Sequence, residues 1–199
     1  MLKIGITGGI GSGKTTVCKV FELLGIPVFY ADAVAKQLMN TAELKADIIH
    51  AFGNQSYSAT GELNRKYIAG RVFKDEKALM QLNSLVHPAV FKAFDTWVNY
   101  QQNTPYVLKE AALLFESDSY KMCNYSVLVK APLEIKIKRI MQRDQITEAE
   151  VKLRMARQLT DEQKEPLADF IVINDEQQLL IPQILALHQK FLSLKNSGK

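Results

Sequence analysis

The chain has 199 residues, 47% of them hydrophobic and 23% charged, enough for an ordinary globular fold with a sizeable core. Its formal net charge of +4 comes from 25 basic and 21 acidic residues without any Lys/Arg block, so no nucleic-acid arm is expected, whereas a small anionic substrate suits it. Met1–Thr7 lacks the apolar core of a secretion signal and no apolar run reaches membrane-spanning length, so the expectation is a cytoplasmic protein with no membrane contact. The only cysteines, Cys18 and Cys123, have neither paired spacing nor nearby His clusters; they read as reduced core thiols.

In chain order, Lys3–Thr7 reads as a first buried strand, and a helical pattern from about Lys14 to Leu24 follows, closed by Gly25 and Pro27. Val28–Tyr30 supplies a second strand. Helical patterns then begin near Thr41, Asn64 and Asp75, with no convincing strand before residue 102. Tyr106–Glu110, Ser126–Lys130 and Asp169–Ile173 complete five strands, and Pro132 opens a helix after the fourth. Thr147-Glu148-Ala149-Glu150 has the form of a capping box and should start a helix carrying Arg154 and Arg157. A last helix is expected from Glu176 to about Lys195, with Asn196–Lys199 as a frayed tail. Strands alternating with helices predict an α/β fold: a five-stranded parallel sheet covered on both faces, with an inserted helical lobe.

Between the first strand and the first helix, Gly8-Gly9-Ile10-Gly11-Ser12-Gly13-Lys14-Thr15 fits GxxxxGK[ST] in the context that pattern requires. A loop wrapped around a triphosphate must turn several backbone N–H groups inward, and side chains would block that approach. Gly9, Gly11, Ser12 and Gly13 would line the cradle; Lys14 would reach the outer phosphates, Thr15 would ligate Mg2+, and Thr16 would add a hydroxyl near the innermost phosphate. ATP and Mg2+ are therefore the expected ligands.

Other residues carry weaker signals. Asp32, just past the second strand, can accept a proton from an attacking hydroxyl or simply cap a helix. Glu110 and Glu116 can stand near magnesium or be solvated strand-end residues. Lys136, Arg139 and Arg143 share one helix face, which can clamp phosphates or face solvent. Asn174-Asp175 can hold the adenine or form a turn, and His87-Pro88 can touch substrate or start a helix.

Together these pieces resemble the dephospho-CoA kinase family. Beyond the glycine-rich loop, the likeness runs through Ala31-Asp32, Gly61-Glu62-Leu63-Asn64-Arg65, Leu85-Val86-His87-Pro88, Leu113-Leu114-Phe115-Glu116, Arg139-Ile140-Met141-Gln142-Arg143-Asp144 and Ala168-Asp169-Phe170. The resemblance implies a P-loop NTPase fold of the adenylate-kinase type, forming a single domain over 1–199. It also implies a helical substrate lobe at about 58–100 and a lid at about 133–158. It implies phosphorylation of the 3′-hydroxyl of dephospho-CoA, with Asp32 as base, Lys14 and Thr15 on phosphate and magnesium, and Arg139 as clamp on the transferring phosphate. Arg143 and Asn174 would complete the nucleotide site, while Arg65, His87, Phe115 and Glu116 would meet the acceptor. Four positions depart from the family pattern: Tyr30 and Glu110 stand where Asp is usual, Ala112 where Pro is usual, and Lys136 where Gln is common. The alternatives are a kinase of another small acceptor, such as a nucleoside monophosphate, or a nucleotide-dependent switch protein. Against the switch, the chain has no NKxD-like guanine segment.

Overall fold

The computed structural model describes residues 1–72 and 75–197; Phe73, Lys74, Gly198 and Lys199 lie outside the described residues. In chain order the elements are β1 (Leu2–Thr7), α1 (Lys14–Leu23), β2 (Val28–Tyr30), α2 (Ala31–Leu38), α3 (Ala42–Phe52), α4 (Arg65–Val72) and α5 (Glu76–Tyr100). They continue with β3 (Tyr106–Glu110), β4 (Tyr125–Lys130), α6 (Leu133–Asp144), α7 (Glu148–Met155), α8 (Asp161–Lys164), β5 (Phe170–Ile173) and α9 (Leu180–Ser197). They fall into two compact units, one made of Met1–Tyr30 and Val98–Lys199, the other of Ala31–Trp97.

The first unit is built on one parallel sheet with strand order β2-β3-β1-β4-β5. Pairing of Ile6 with Glu110, Thr7 with Leu128 and Lys130 with Ile173 brings the carboxyl ends of the strands to one edge. The connection from β1 runs to β2 on one side and that from its neighbour β3 crosses to β4 on the other, so the switch point where open α/β sheets bind ligands lies between β1 and β3. The strands are short runs of branched residues because helices cover both faces: Ile4, Ile6, Leu108, Val127 and Val129 are all fully buried. At the amino edge of the sheet, Tyr106 and Phe170 each meet Phe191 of α9 edge-on at 5.4 Å, and the Tyr106 hydroxyl bonds His188 Nδ1 at 2.6 Å. Cys18 and Cys123 are free thiols, the first buried and the second partly so; burial pushes the Cys123 thiol up to about 11.

The second unit is helical, with a core drawn from residues such as Ile48, Phe52, Ile68, Val90 and Phe94. The segment 53–64, closed by an antiparallel bridge between Tyr57 and Leu63, joins α3 to α4; the Tyr57 hydroxyl donates to the Met39 carbonyl and that of Tyr67 to the Phe52 carbonyl. Among the described residues of the whole chain, no helix is long and apolar enough to cross a membrane.

Several element boundaries differ from the sequence expectation. Glu176 does not open α9: it has φ 66°, and the Asp175 carboxylate instead accepts the N–H groups of Gln177 and Gln178 in a turn, delaying the helix to Leu180. His87-Pro88 does not start a helix but lies inside α5, whose 25 residues tolerate the one bond that proline removes. Asp32 stands within the first turn of α2 instead of capping it. Arg157 lies past the end of α7, and Asn196 and Ser197 continue α9 where a frayed tail was expected.

Candidate active site

The chain leaves β1 into Gly8–Gly13 and enters α1 at Lys14. Gly13 has φ 95° and Gly11 φ 83°, conformations that side chains rarely adopt. The missing side chains also admit neighbours. A Cβ on Gly13 would run into Asn174 Nδ2, and one on Gly11 would lie 2.7 Å from the Lys136 carbonyl of α6. Asn174 Nδ2 donates to the Ser12 carbonyl at 2.8 Å, and Gln158 Oε1 accepts the Ile10 N–H at 2.8 Å, so two distant segments hold the loop from outside. The Lys14 ammonium curls over the loop to the carbonyls of Gly8 (2.9 Å) and Gly9 (3.3 Å).

These features fit a polyphosphate. Gly13 gives α1 no side-chain cap, so the positive end of a ten-residue helix is left to a ligand, and the exposed Thr15 and Thr16 sit in its first turn. The Ser12 hydroxyl is fully buried without a hydrogen-bond partner. The Thr15 hydroxyl suits a hard cation that keeps other oxygen ligands.

Two cations flank the loop. Arg139 reaches the Gly11 carbonyl (3.4 Å), the backbone and side-chain oxygens of Asn174 (3.3 and 3.4 Å), and Glu176 Oε1 (3.0 Å). Lys136, on the same face of α6, pairs with Asp161 at 2.8 Å. Gly9, Lys136, Gln158 and Asp161 line a cavity of about 460 Å³, walled on its apolar side by Pro132 and Met155. Arg143, four residues beyond Arg139 on α6, shares the Asp144 carboxylate with Arg154, and the two hold this carboxyl below its ordinary range, Arg143 most of all.

Glu116 is engaged by the chain itself: Oε1 lies 3.0 Å from Lys164 Nζ and accepts the Leu159 N–H at 2.9 Å. Lys164 is fully buried and donates also to the Ala112 carbonyl at 3.1 Å. Phe115 is buried against Tyr120, so its ring packs the loop after β3.

The remaining expected site residues belong to the second unit. Asp32 is an exposed carboxylate two positions beyond β2. Arg65 opens α4 and lines a polar cleft of about 600 Å³ with Asn40, Ser58, Glu62, Leu63 and Asn64. His87 stacks on Phe91 one turn along α5, at 6.1 Å.

A family model described as dephospho-CoA kinase (CoaE) matches residues 2–179. The chain belongs to the dephospho-CoA kinase family. A dephospho-CoA kinase of Salinibacter ruber is 40% identical over 178 residues, covering 88% of this chain and 89% of the relative. Among solved structures, a Thermus thermophilus protein superposes with a TM-score of 0.85 at 30% identity, covering 95% of this chain and 96% of the other. A Campylobacter jejuni dephospho-CoA kinase shares the fold with a TM-score of 0.70 at 24% identity, over 96% and 97% of the two chains. The fold is that of P-loop kinases, and membership of this kinase family implies nucleotide use.

Sequence reasoning missed the roles of Gln158, Asp161 and Lys164, which tie the loop and its surroundings together. Each contact spans a long separation (Ile10 to Gln158, Lys136 to Asp161, Ala112 to Lys164), and no local pattern announces it.

Proposed function

We propose that this protein transfers the terminal phosphoryl group of ATP to the ribose 3′-hydroxyl of dephospho-CoA in the cytosol, giving coenzyme A and ADP. The observation that carries this reading is the family match over 2–179, on a chain whose glycine loop leads into an uncapped helix N-terminus. The acceptor oxygen attacks the outer phosphorus, the bond to the bridging oxygen breaks, and ADP leaves with that electron pair. Asp32 takes the hydroxyl proton; its support is its family motif and its place just beyond a strand's carboxyl end. Lys14 leaves the loop carbonyls for the outer phosphates, and the N–H groups at the start of α1 face the inner ones. Arg139 is the clamp on the transferring phosphate, released from Glu176 or shared with it, and Asn174 keeps the loop in shape.

The Thr15 hydroxyl would help to hold magnesium, which when bound would supply charge neutralisation to the leaving group. That division of ligands suits a chain in which, among the described residues, no three His, Cys, Asp or Glu side chains gather to hold a metal alone. Arg65, His87, Phe115 and Glu116 form the acceptor side of the proposal. The helical lobe at about 58–100 would bind the acceptor, and the segment at about 133–158 would close over the nucleotide to exclude water.

Incubating the protein with ATP, magnesium and dephospho-CoA should yield coenzyme A by mass spectrometry. Phosphorylation of a nucleoside monophosphate instead, with dephospho-CoA untouched, would overturn the acceptor assignment.

A further inference from the structure

The Lys136–Asp161 pair is not explained by stability. Its side chains are 11% and 7% exposed, and dehydrating both charges offsets most of their attraction, so apolar residues of similar volume would hold α6 against α8 about as well. Moreover, Asp161 Oδ1 is buried and has no hydrogen-bond partner, and only one of three N–H donors of Lys136 is given to Asp161. The pair is thus unfinished on both sides.

Its location suggests what takes the unused donors of Lys136. Lys136 Nζ and Asp161 Oδ1 each lie 3.4 Å from the point where a side chain on Gly9 would begin, and both residues share the cavity that Gly9 lines. Gly9 belongs to the end of the loop over which the Lys14 ammonium is folded, bonded to the carbonyls of Gly8 and Gly9. In this loop type that lysine serves the outer phosphates, and even folded back on the carbonyls of Gly8 and Gly9 its ammonium lies at the end of the loop from which it swings to them. Arg139 flanks the opposite end, at Gly11 and Asn174. Lys136 therefore lies on the side of the loop that Arg139 leaves open.

We propose that Lys136 is a further phosphate-binding cation of this site, donating to an oxygen of the third, γ phosphate of a bound nucleoside triphosphate. Asp161 is its positioning residue: it aims the ammonium at the cavity and balances its charge when no phosphate is present. A lysine suits this task because it is a compact charge on a flexible stem. The proposal rests on the reading that the Gly8–Thr15 loop holds a nucleoside triphosphate.

The test compares the parent with Lys136→Met, Lys136→Arg and the double variant Lys136→Met/Asp161→Leu, titrated calorimetrically with magnesium ADP and with magnesium β,γ-imido-ATP. The double variant removes both charges, so a fold weakened by a lone buried carboxylate does not obscure the result. Loss of one charge-assisted hydrogen bond should weaken imido-ATP binding by about tenfold or more in both methionine variants, leave ADP within about twofold, and be largely restored by arginine. Equal losses for the two nucleotides, or no loss of imido-ATP binding in the folded double variant, would overturn the role of Lys136. The readout needs no acceptor, so an error in the acceptor assignment leaves it intact; a parent that bound neither nucleotide would instead remove the loop reading and this proposal with it.

Discussion

At the scale of single residues, the site depends on side chains that are absent as much as on those present. Gly13 joins the loop to α1 at φ 95°, and its bare Cα is where Asn174 reaches in to hold the Ser12 carbonyl. Alanine there incurs about 1–2 kcal/mol for the left-handed backbone, and its methyl displaces the Asn174 amide. Gly13→Ala should therefore lower the thermal midpoint and weaken magnesium ADP binding by about tenfold or more, since the loop must move to admit the methyl. Parental melting and parental affinity together would show that the Asn174 contact does not shape the loop. Asp32 raises a different question, because it is exposed and its contribution is chemical. Asp32→Asn keeps size and removes only the proton acceptor, so turnover should fall by about 10²–10⁴ while magnesium ATP binds as before. Coenzyme A formation at the parental rate would assign the base elsewhere.

Elements differ in how locally they are specified. The capping box at α7 is fully local: Thr147 Oγ1 accepts the Glu150 N–H, and Glu150 Oε2 accepts the Thr147 N–H at 2.9 Å. Thr147→Ala should destabilise the protein by about 1 kcal/mol in urea titrations at neutral pH. Hydrogen bonds from Thr147, its backbone N–H first, hold the Glu150 carboxyl below its ordinary range. A depressed carboxyl stabilises the fold above that range and ceases to do so once protonated, so the gap between parent and variant should narrow on acidification to about pH 3. A gap unchanged by acid would mean that the two halves of the box act independently. The same distinction explains what could be read in the sequence. All five strands were legible, within one residue at each start, because strands buried on both faces are short, mainly apolar runs set between helical patterns. The phosphate loop was legible because its contacts are with its own backbone and a ligand. The start of α9 was obscured by an Asp175 turn that uses the same residues as a helix start, and the place of His87-Pro88 by proline, which more often opens a helix than lies within one. Lys136 was seen as one of a basic row, but its partner Asp161 lies 25 residues away, so a clamp and a solvated face looked alike.

For the whole molecule, the sheet is assembled across an interruption: β2 ends at Tyr30, the unit Ala31–Trp97 follows, and β3 then pairs Glu110 with Tyr30. Closing so long a loop costs entropy that a three-residue edge strand repays poorly, whereas β1 is paired on both sides, by β3 and β4. Opening should therefore proceed from the edges. In hydrogen exchange followed by mass spectrometry, Leu2–Thr7 and Tyr125–Lys130 should exchange last, near the free energy of global unfolding, with Val28–Tyr30 released well before them. Magnesium ADP should then add protection first over Gly8–Thr16, because a ligand held by backbone N–H groups masks those amides directly before it raises global stability. Protection appearing uniformly across the sheet, with no excess in the loop, would place the nucleotide's main contacts on side chains and require the cradle to be redrawn around Lys14, Lys136 and Arg139.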